Sequence, residues 1–255
     1  MTTTDTGSPT GELAGTRALV TGGSRGIGAA VVRQLLDAGA QVLTTARSAT
    51  DTVPMGATFV AADVRTRAGT RALADAALDT FGGVDILVHN AGGARPHQSA
   101  LTIPDEEWQD ALDLNFLASV RLDALLVPGM RERRAGSVVH ISSAAVPLAP
   151  APFLHYTTAK AALENYSRGL AAELAPAGVR VNTVTPGRVD TPGGVHTRQQ
   201  WARLDAGQGT DVARVPLGRE GQPDDIAHAV LFLVSARAGW LTGSNLTVDG
   251  GEFPR

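Results

Sequence analysis

Cysteine is absent from the 255 residues, which removes disulfides and thiolate metal sites. A chain without cysteine fits a reducing compartment, and a cytoplasmic location is expected. A charge excess is missing too. The 22 Lys and Arg against 25 Asp and Glu leave a net charge of −3, too small for a general attraction to nucleic acid or an anionic membrane. No apolar run approaches the ~20 residues of a membrane-spanning helix. Met1 to Ala14 contain no basic residue and no apolar leader core. They are rich in Thr, Gly and Pro and are expected to form a disordered tail, not a signal peptide. Tandem repeats, heptads and low-complexity linkers are lacking, so residues 15–255 are expected to form one domain. The triplets at Asn165 and Asn245 match the glycosylation pattern by chance, since no secretion signal accompanies them.

What is present is an ordinary apolar content of 43% and a repeated strand–turn–helix rhythm. Ala18-Leu19-Val20 is a short apolar run that feeds Thr21-Gly22-Gly23-Ser24-Arg25-Gly26-Ile27-Gly28. Ala29, Ala30, Val31, Val32, Leu35 and Leu36 then follow helical spacing up to Ala38-Gly39. This is the context of a dinucleotide-binding loop: glycines allow a sharp turn and close approach to a pyrophosphate, which faces the helix N-terminus. Gln41 to Arg47 form the next strand. At its end an acid would bond ribose hydroxyls, whereas Ala46-Arg47 stands here, with Arg25 nearby in the loop. Two guanidinium groups suit a 2′-phosphate, so NADP(H) is favoured, with NAD(H) the alternative.

Further units follow. Ala57 to Ala61 read as a strand ending at Asp63-Val64, where Asp63 bonds adenine or caps a helix over Thr66–Phe81. Val84 to His89 are a fourth strand leading to Asn90-Ala91-Gly92-Gly93, small residues that admit a cofactor. Pro104 to about Arg133 read as one long helix containing Asn115, either a satisfied core amide or a break that holds a water. Ser137 to Ile141 are a fifth strand with Ser142-Ser143 at its C-terminal end, the edge where open parallel sheets bind ligands. Val179 to Val184 lead to Pro186-Gly187, Asp224 to Val234 read as a helix, and Leu246 to Val248 as a last strand. The polar, poorly periodic stretch over about 188–215 reads as a lid, with Val195, Trp201 and Leu204 as its apolar members. The pattern predicts a parallel α/β sheet with right-handed crossovers.

Tyr156 and Lys160 lie four residues apart on one helix face. A phenol ionises near pH 10. A neighbouring cation lowers that value, which makes the pair a candidate general acid/base. No His-Glu-x-x-His or comparable spacing joins the six histidines, so no catalytic metal is expected.

Taken in order, Thr21 to Gly28, Asp63-Val64, Asn90-Ala91-Gly92, Asn115, Ser143, Tyr156 with Lys160, and Pro186-Gly187 with Thr191 resemble the classical short-chain dehydrogenase/reductases over about Gly15 to Gly251. The resemblance implies a Rossmann-type doubly wound, seven-stranded parallel sheet in a single domain. It also implies a hydride transfer between NADP(H) and a ketone or secondary alcohol. Tyr156 resembles the acid/base, and Lys160 the residue that lowers the tyrosine pKa and bonds the nicotinamide ribose. Ser143 resembles the hydroxyl that steadies the substrate oxygen, chosen over Ser142 by its thirteen-residue offset from Tyr156. Asn115 looks like the holder of a relay water. The cofactor-binding set that the resemblance implies is Thr21, Gly22, Ser24, Arg25, Gly26, Ile27, Gly28, Arg47, Asp63, Val64, Asn90, Ala91, Gly92, Tyr156, Lys160, Pro186, Gly187, Val189 and Thr191.

Three histidines depart from the family pattern. His89 replaces the usual Asn before Asn-Ala-Gly, which bears on cofactor affinity. His155 precedes Tyr156 and reads as a wall or interface residue. His97 reads as exposed in the loop after Gly93. By motif the nearest subgroup resembles the 3-oxoacyl-carrier-protein reductases. Arg131, Arg133, Arg134 and Arg168 offer basic character, but Ala172-Glu173 stands where more is expected. A small-molecule carbonyl or alcohol is therefore favoured over an acyl carrier protein. Leu163, Tyr166, Leu170 and Leu174, with Ala161, Ala162 and Ala171, spread over more than one helix face. That spread and the resemblance imply a homotetramer, with a homodimer as the alternative. The competing functional readings are an NAD-dependent alcohol dehydrogenase and a non-catalytic cofactor-binding regulator.

Overall fold

Seven strands hydrogen-bond in the order β3-β2-β1-β4-β5-β6-β7, all parallel. They are β1 (Arg17–Thr21), β2 (Gln41–Ala46), β3 (Thr58–Ala61), β4 (Ile86–His89), β5 (Gly136–Ile141), β6 (Val179–Pro186) and β7 (Asn245–Val248). The computed structural model describes residues 11–48, 52–204 and 215–252. Among the described residues, seven α-helices connect the strands: α1 (Gly26–Asp37), α2 (Arg67–Phe81), α3 (Asp105–Leu112), α4 (Ala118–Arg133), α5 (Leu154–Leu174), α6 (Pro192–Leu204) and α7 (Pro223–Val234). The central strands are apolar on both faces because helices cover both faces. Ala18, Val20, Val42 and Val88 pack with Val31 of α1 and Val230 of α7 on one side. Leu19, Leu43 and Leu87 pack with Leu73 of α2 and Leu122 of α4 on the other.

Strand order reverses between β1 and β4, which opens a crevice at their C-terminal ends. Both ends of this seam are pinned. At the N-terminal end the Arg17 guanidinium clamps Asp85, with Nε–Oδ2 and Nη2–Oδ1 at 2.7 and 2.6 Å. At the C-terminal end the amides of Asn90 and Ala91 each donate to Thr21 Oγ1 at 3.0 Å.

Several element boundaries differ from the sequence expectation. Met1 to Thr10 lie outside the described residues, but Gly11 to Ala14 are not tail: they turn, and Leu13 is buried with its N–H on the Ala38 carbonyl at 2.8 Å. The single long helix is broken. Between α3 and α4, Asp113–Leu117 form a π turn that puts Asn115 on the buried side. The lid stretch contains a regular helix, α6, and residues 205–214 lie outside the described set. The sheet side absorbs more of α5 than expected: Leu163, Ala171 and Leu174 are buried, while Ala161 is exposed.

Candidate active site

The glycine loop joins β1 to α1. Gly22 and Gly26 adopt φ of 70° and 54°, which glycine alone takes without strain. A Cβ on Gly28 would stand 2.2 Å from the Gly22 carbonyl oxygen and 2.4 Å from Asn90 Nδ2, so the loop folds tightly only with glycine there. Asn90 Nδ2 donates to the carbonyls of Thr21 and Gly22 at 3.0 and 3.1 Å. Arg25 occupies the α1 N-cap without a side-chain cap, and the first turn carries no acid. The amides there are therefore left for an outside anion. Ser24 and Ile27 flank the same turn, and Thr191 Cβ lies 3.2 Å from where a Gly26 Cβ would be. Arg25 and Arg47 are both exposed, and neither forms an ion pair within 4.0 Å among the described residues.

Asp63 has a different setting from the one expected. Its carboxylate pairs with Arg65 (Nη2–Oδ2 2.6 Å), which also reaches Asp110 at 2.8 Å. The Arg65 hydrogen bond, acting against burial, holds Asp63 below the usual carboxylate range. Thr66, not Asp63, caps α2, its hydroxyl accepting from Gly69 N at 2.9 Å. Val64 is buried.

On the far side of the crevice, Pro186 ends β6, and the Gly187 N–H bonds the Val248 carbonyl at 3.0 Å. Val189 bridges to Gly221.

The four candidate catalytic residues converge. Asn115 Oδ1 accepts from Gly93 N at 3.1 Å, and Nδ2 donates to the carbonyls of Gly93 and Ala111, each at 3.1 Å. The amide is thus satisfied, and it also interrupts the helix. A Cβ on Gly92 would be 3.0 Å from Asn115 Oδ1 and 3.2 Å from Lys160 Nζ. Gly92 is therefore the contact point between the loop and both side chains. Burial pushes the Tyr156 phenol up, opposed by its hydrogen bond with Ser143. Burial lowers Lys160 to about 8, opposed by Glu164.

The two serines separate by partner. Ser142 is buried and donates to Glu164 Oε1 at 2.6 Å. Ser143 Oγ accepts from Ala145 N at 3.3 Å and otherwise bonds Tyr156. Glu164 escaped the sequence reading. Its signal was the four-residue spacing from Lys160, which puts the two on one helix face.

The histidines differ from expectation. His89 is buried and bonds Asp123 of α4, Nε2 to Oδ1, at 2.8 Å. It stacks on His140 of β5 with ring centroids 4.8 Å apart. His140 Nε2 stands 3.4 Å from Asp123 Oδ2 without hydrogen-bond alignment. Burial works to raise the Asp123 pKa, but the two histidines overcome it and hold the carboxylate low. Burial lowers His140 despite Asp123. His89 thus serves the core beneath the cofactor loop. His97 is not exposed: it is half-buried, edge-on to the buried His155 at 5.3 Å. The loop after β4 is held there by His97 N bonding the Pro152 carbonyl at 3.0 Å. α6 lies against the same region, with Thr197 Oγ1 on the Ala94 carbonyl at 3.2 Å and Trp201 against Phe153 at 5.5 Å. No helix among the described residues is long and apolar enough to cross a membrane.

Comparison with known proteins places this architecture. A family model described as enoyl-(acyl carrier protein) reductase matches residues 22–252. The chain is 36% identical over 247 residues to the 3-oxoacyl-[acyl-carrier-protein] reductase of Vibrio cholerae, covering 94% of this chain and 98% of that protein. It is 37% identical to the 4-formylbenzenesulfonate dehydrogenase of Comamonas testosteroni, covering 92% and 96% of the two chains. Among solved structures, the L-sorbose reductase of Gluconobacter frateurii, complexed with NADPH and L-sorbose, superposes with a TM-score of 0.86 at 33% identity, covering 97% and 99%. Another similar structure, described as a short-chain dehydrogenase/reductase family protein, has a TM-score of 0.83 at 39% identity, covering 94% and 98%. With the motifs, the sheet order and these matches in agreement, the chain belongs to the short-chain dehydrogenase/reductase family of oxidoreductases.

Proposed function

We propose that this chain is an NADP(H)-dependent oxidoreductase that interconverts a ketone and a secondary alcohol, with Tyr156 as the acid/base. The observation that carries the reading is the sorting of hydroxyls after β5: Ser142 is committed to Glu164, and Ser143 is left beside Tyr156. Two hydroxyls side by side can both bond one carbonyl oxygen, and that is where negative charge develops during reduction.

The chain fits the cofactor on its own chemistry. The α1 N-terminus has no side-chain cap and no acid in its first turn, which suits a pyrophosphate. Arg25 and Arg47 are exposed cations that form no ion pair within 4.0 Å among the described residues, which suits the extra phosphate of NADP(H). The same preference is supported by the NADPH complex of the sorbose reductase. Bound there, the nicotinamide would supply or accept the hydride.

The protein's own part is positioning and proton transfer. With its pKa raised, the Tyr156 phenol is protonated at neutral pH, the form needed to donate to a carbonyl oxygen. Ser143 donates to the same oxygen and orients it. Lys160, held near the phenol, stabilises the phenolate left behind and can bond a ribose hydroxyl. Asn115 and Gly92 hold the loop against Lys160, and Asn115 is the proposed partner of a relay water.

The substrate proposed is a small carbonyl compound or alcohol. α6, with Trp201 against Phe153, forms the lid of the pocket. The reductase names among the relatives keep a carrier-bound acyl group as the alternative. Against it, Arg133 and Arg134 are tied to the Val84 and Pro176 carbonyls at 2.6 and 2.8 Å. Those positions precede β4 and β6, at the sheet edge away from the crevice. The assembly proposed is a homotetramer, supported by exposed Ala161 on α5 and by Trp240, which is 100% exposed. A cytoplasmic location is part of the same proposal.

The test is a spectrophotometric screen of NADPH oxidation and NADP reduction over ketones, aldehydes and alcohols, run beside Tyr156→Phe. We expect turnover that falls at least about 1,000-fold in the variant while cofactor affinity holds. Unchanged turnover in the variant would overturn the assignment.

A further inference from the structure

The loop after β4, α3 and α5 meet at three side chains that the proposed hydride chemistry does not use. His97 comes from the loop, Glu107 from α3 and His155 from α5. One donor atom from each lies within 4.8 Å of the other two. Two features of this group go beyond proximity. His155 is 2% exposed, and its Nδ1 is cut off from solvent with no hydrogen-bond partner. His97 Nε2 is buried and unpartnered in the same way. Two imidazole nitrogens without partners in one cluster are costly to leave so. The cost disappears if both lone pairs are directed at a cation.

We propose that His97, Glu107 and His155 form a binding site for one divalent transition-metal ion of the zinc type. Two imidazoles and a carboxylate are a nitrogen–oxygen donor set of that class, and they leave a fourth position for water. A ligand imidazole must be neutral, and an ordinary histidine is largely so at physiological pH. Glu107 is the solvent-facing member, its side chain 24% exposed, and a cation would enter from its side. Zinc bonds of about 2.0–2.2 Å require donors about 3.4 Å apart, so the side chains close inward by about 1 Å on binding. Glu107 can release its present partner: Arg95, at 2.8 Å, has a side chain 58% exposed.

The ion's role is structural. It staples the loop of residues 90–104 to α3 and α5, beside the existing main-chain bond from His97 to Pro152. The buried group His89, Asp123 and His140 does not compete as a site. It lies wholly in the core, and His89 Nε2 is already bonded to Asp123.

The test uses full-length, tag-free protein stripped of metal with a chelating resin. ZnCl2 is titrated calorimetrically, and CoCl2 is followed by its visible absorption. We expect one equivalent per chain with micromolar or tighter affinity, and a rise in Tm on addition of zinc. His97→Ala and Glu107→Ala should each weaken binding at least tenfold while leaving the metal-free Tm close to wild type. His155→Phe should abolish binding; if it does not fold, the other two variants carry the test. No saturable binding below about 100 μM would overturn the proposal, as would affinity unchanged in both His97→Ala and Glu107→Ala. Neither readout depends on turnover, so its failure is distinct from failure of the proposed oxidoreductase activity.

Discussion

Lys160 Nζ donates to the main-chain oxygen of Ile141 at 2.7 Å, while standing 6.0 Å from the centroid of the Tyr156 ring. The ammonium is anchored on the sheet one helical turn from the phenol. Burial holds its pKa at about 8 rather than 10.5, against the pull of Glu164. Below pH 8 folded and unfolded chains both carry the proton, and the fold bears the whole desolvation cost, about 3 kcal/mol. Between 8 and 10.5 the folded chain releases its proton first and the cost fades. Urea unfolding of the wild type and Lys160→Met at intervals from pH 7 to 10.5 should therefore show the difference shifting in favour of the wild type as pH rises. A difference that stays flat would contradict this account.

Asp123 faces His89, His140 and the Tyr166 phenol, whose pKa burial raises with help from Asp123 and Glu173. Removing it leaves buried donors without an acceptor. Asp123→Ala is expected to lose about 3–5 kcal/mol of stability, read by urea denaturation. His89→Asn keeps a side-chain donor and should lose only about 1 kcal/mol. Equal losses in the two variants would show that the carboxylate is not what the cluster is built around.

Arg25 and Arg47 should act on one cofactor and not on the other. In the double variant Arg25→Ala, Arg47→Ala, we expect the preference for NADPH over NADH to fall at least about 100-fold, since each of the two charge-assisted bonds is worth about 1.5–3 kcal/mol. Affinity for NADH should change little. Dissociation constants from nucleotide fluorescence titrations check this, and equal weakening of both cofactors would refute it.

Gly92→Ala would place a methyl group 3.0 Å from Asn115 Oδ1 and 3.2 Å from Lys160 Nζ. Both side chains would shift by a few tenths of an ångström. Catalytic geometry is sensitive to such displacements. We expect kcat to fall about 10- to 100-fold while Tm stays within a few degrees, because Gly92 itself is exposed. A large loss of Tm with kcat retained would mean that the contact is only packing.

The sheet and its crevice were readable from sequence because apolar runs and glycine turns are local signals. Tyr156 and Lys160 were readable because a helix converts a spacing of four into adjacency. What escaped depended on contacts between distant segments. The break in the α3–α4 helix is held by bonds from Asn115 to Gly93, 22 residues away. Ser143 could be chosen over Ser142 by its offset from Tyr156, but the Glu164 partner that occupies Ser142 appears only in the α5–β5 packing. His97 and His155 are 58 residues apart in sequence, and no periodicity could have paired them. The Arg65 partner of Asp63 was not legible either, because Arg65, two residues on, swings back onto it only in the turn the backbone adopts.

The double pinning of the β1–β4 seam bears on recognition. Arg17 locks Asp85 at one end, and Thr21 collects the Asn90 and Ala91 amides at the other. The two strands are hydrogen-bonded to each other, so the floor of the crevice at their C-terminal ends is fixed before any ligand arrives. An incoming dinucleotide meets a preset surface, and the entropy of aligning it is already lost when the chain folds. Selectivity there then lies in which molecules match that floor, with little give to accommodate those that do not.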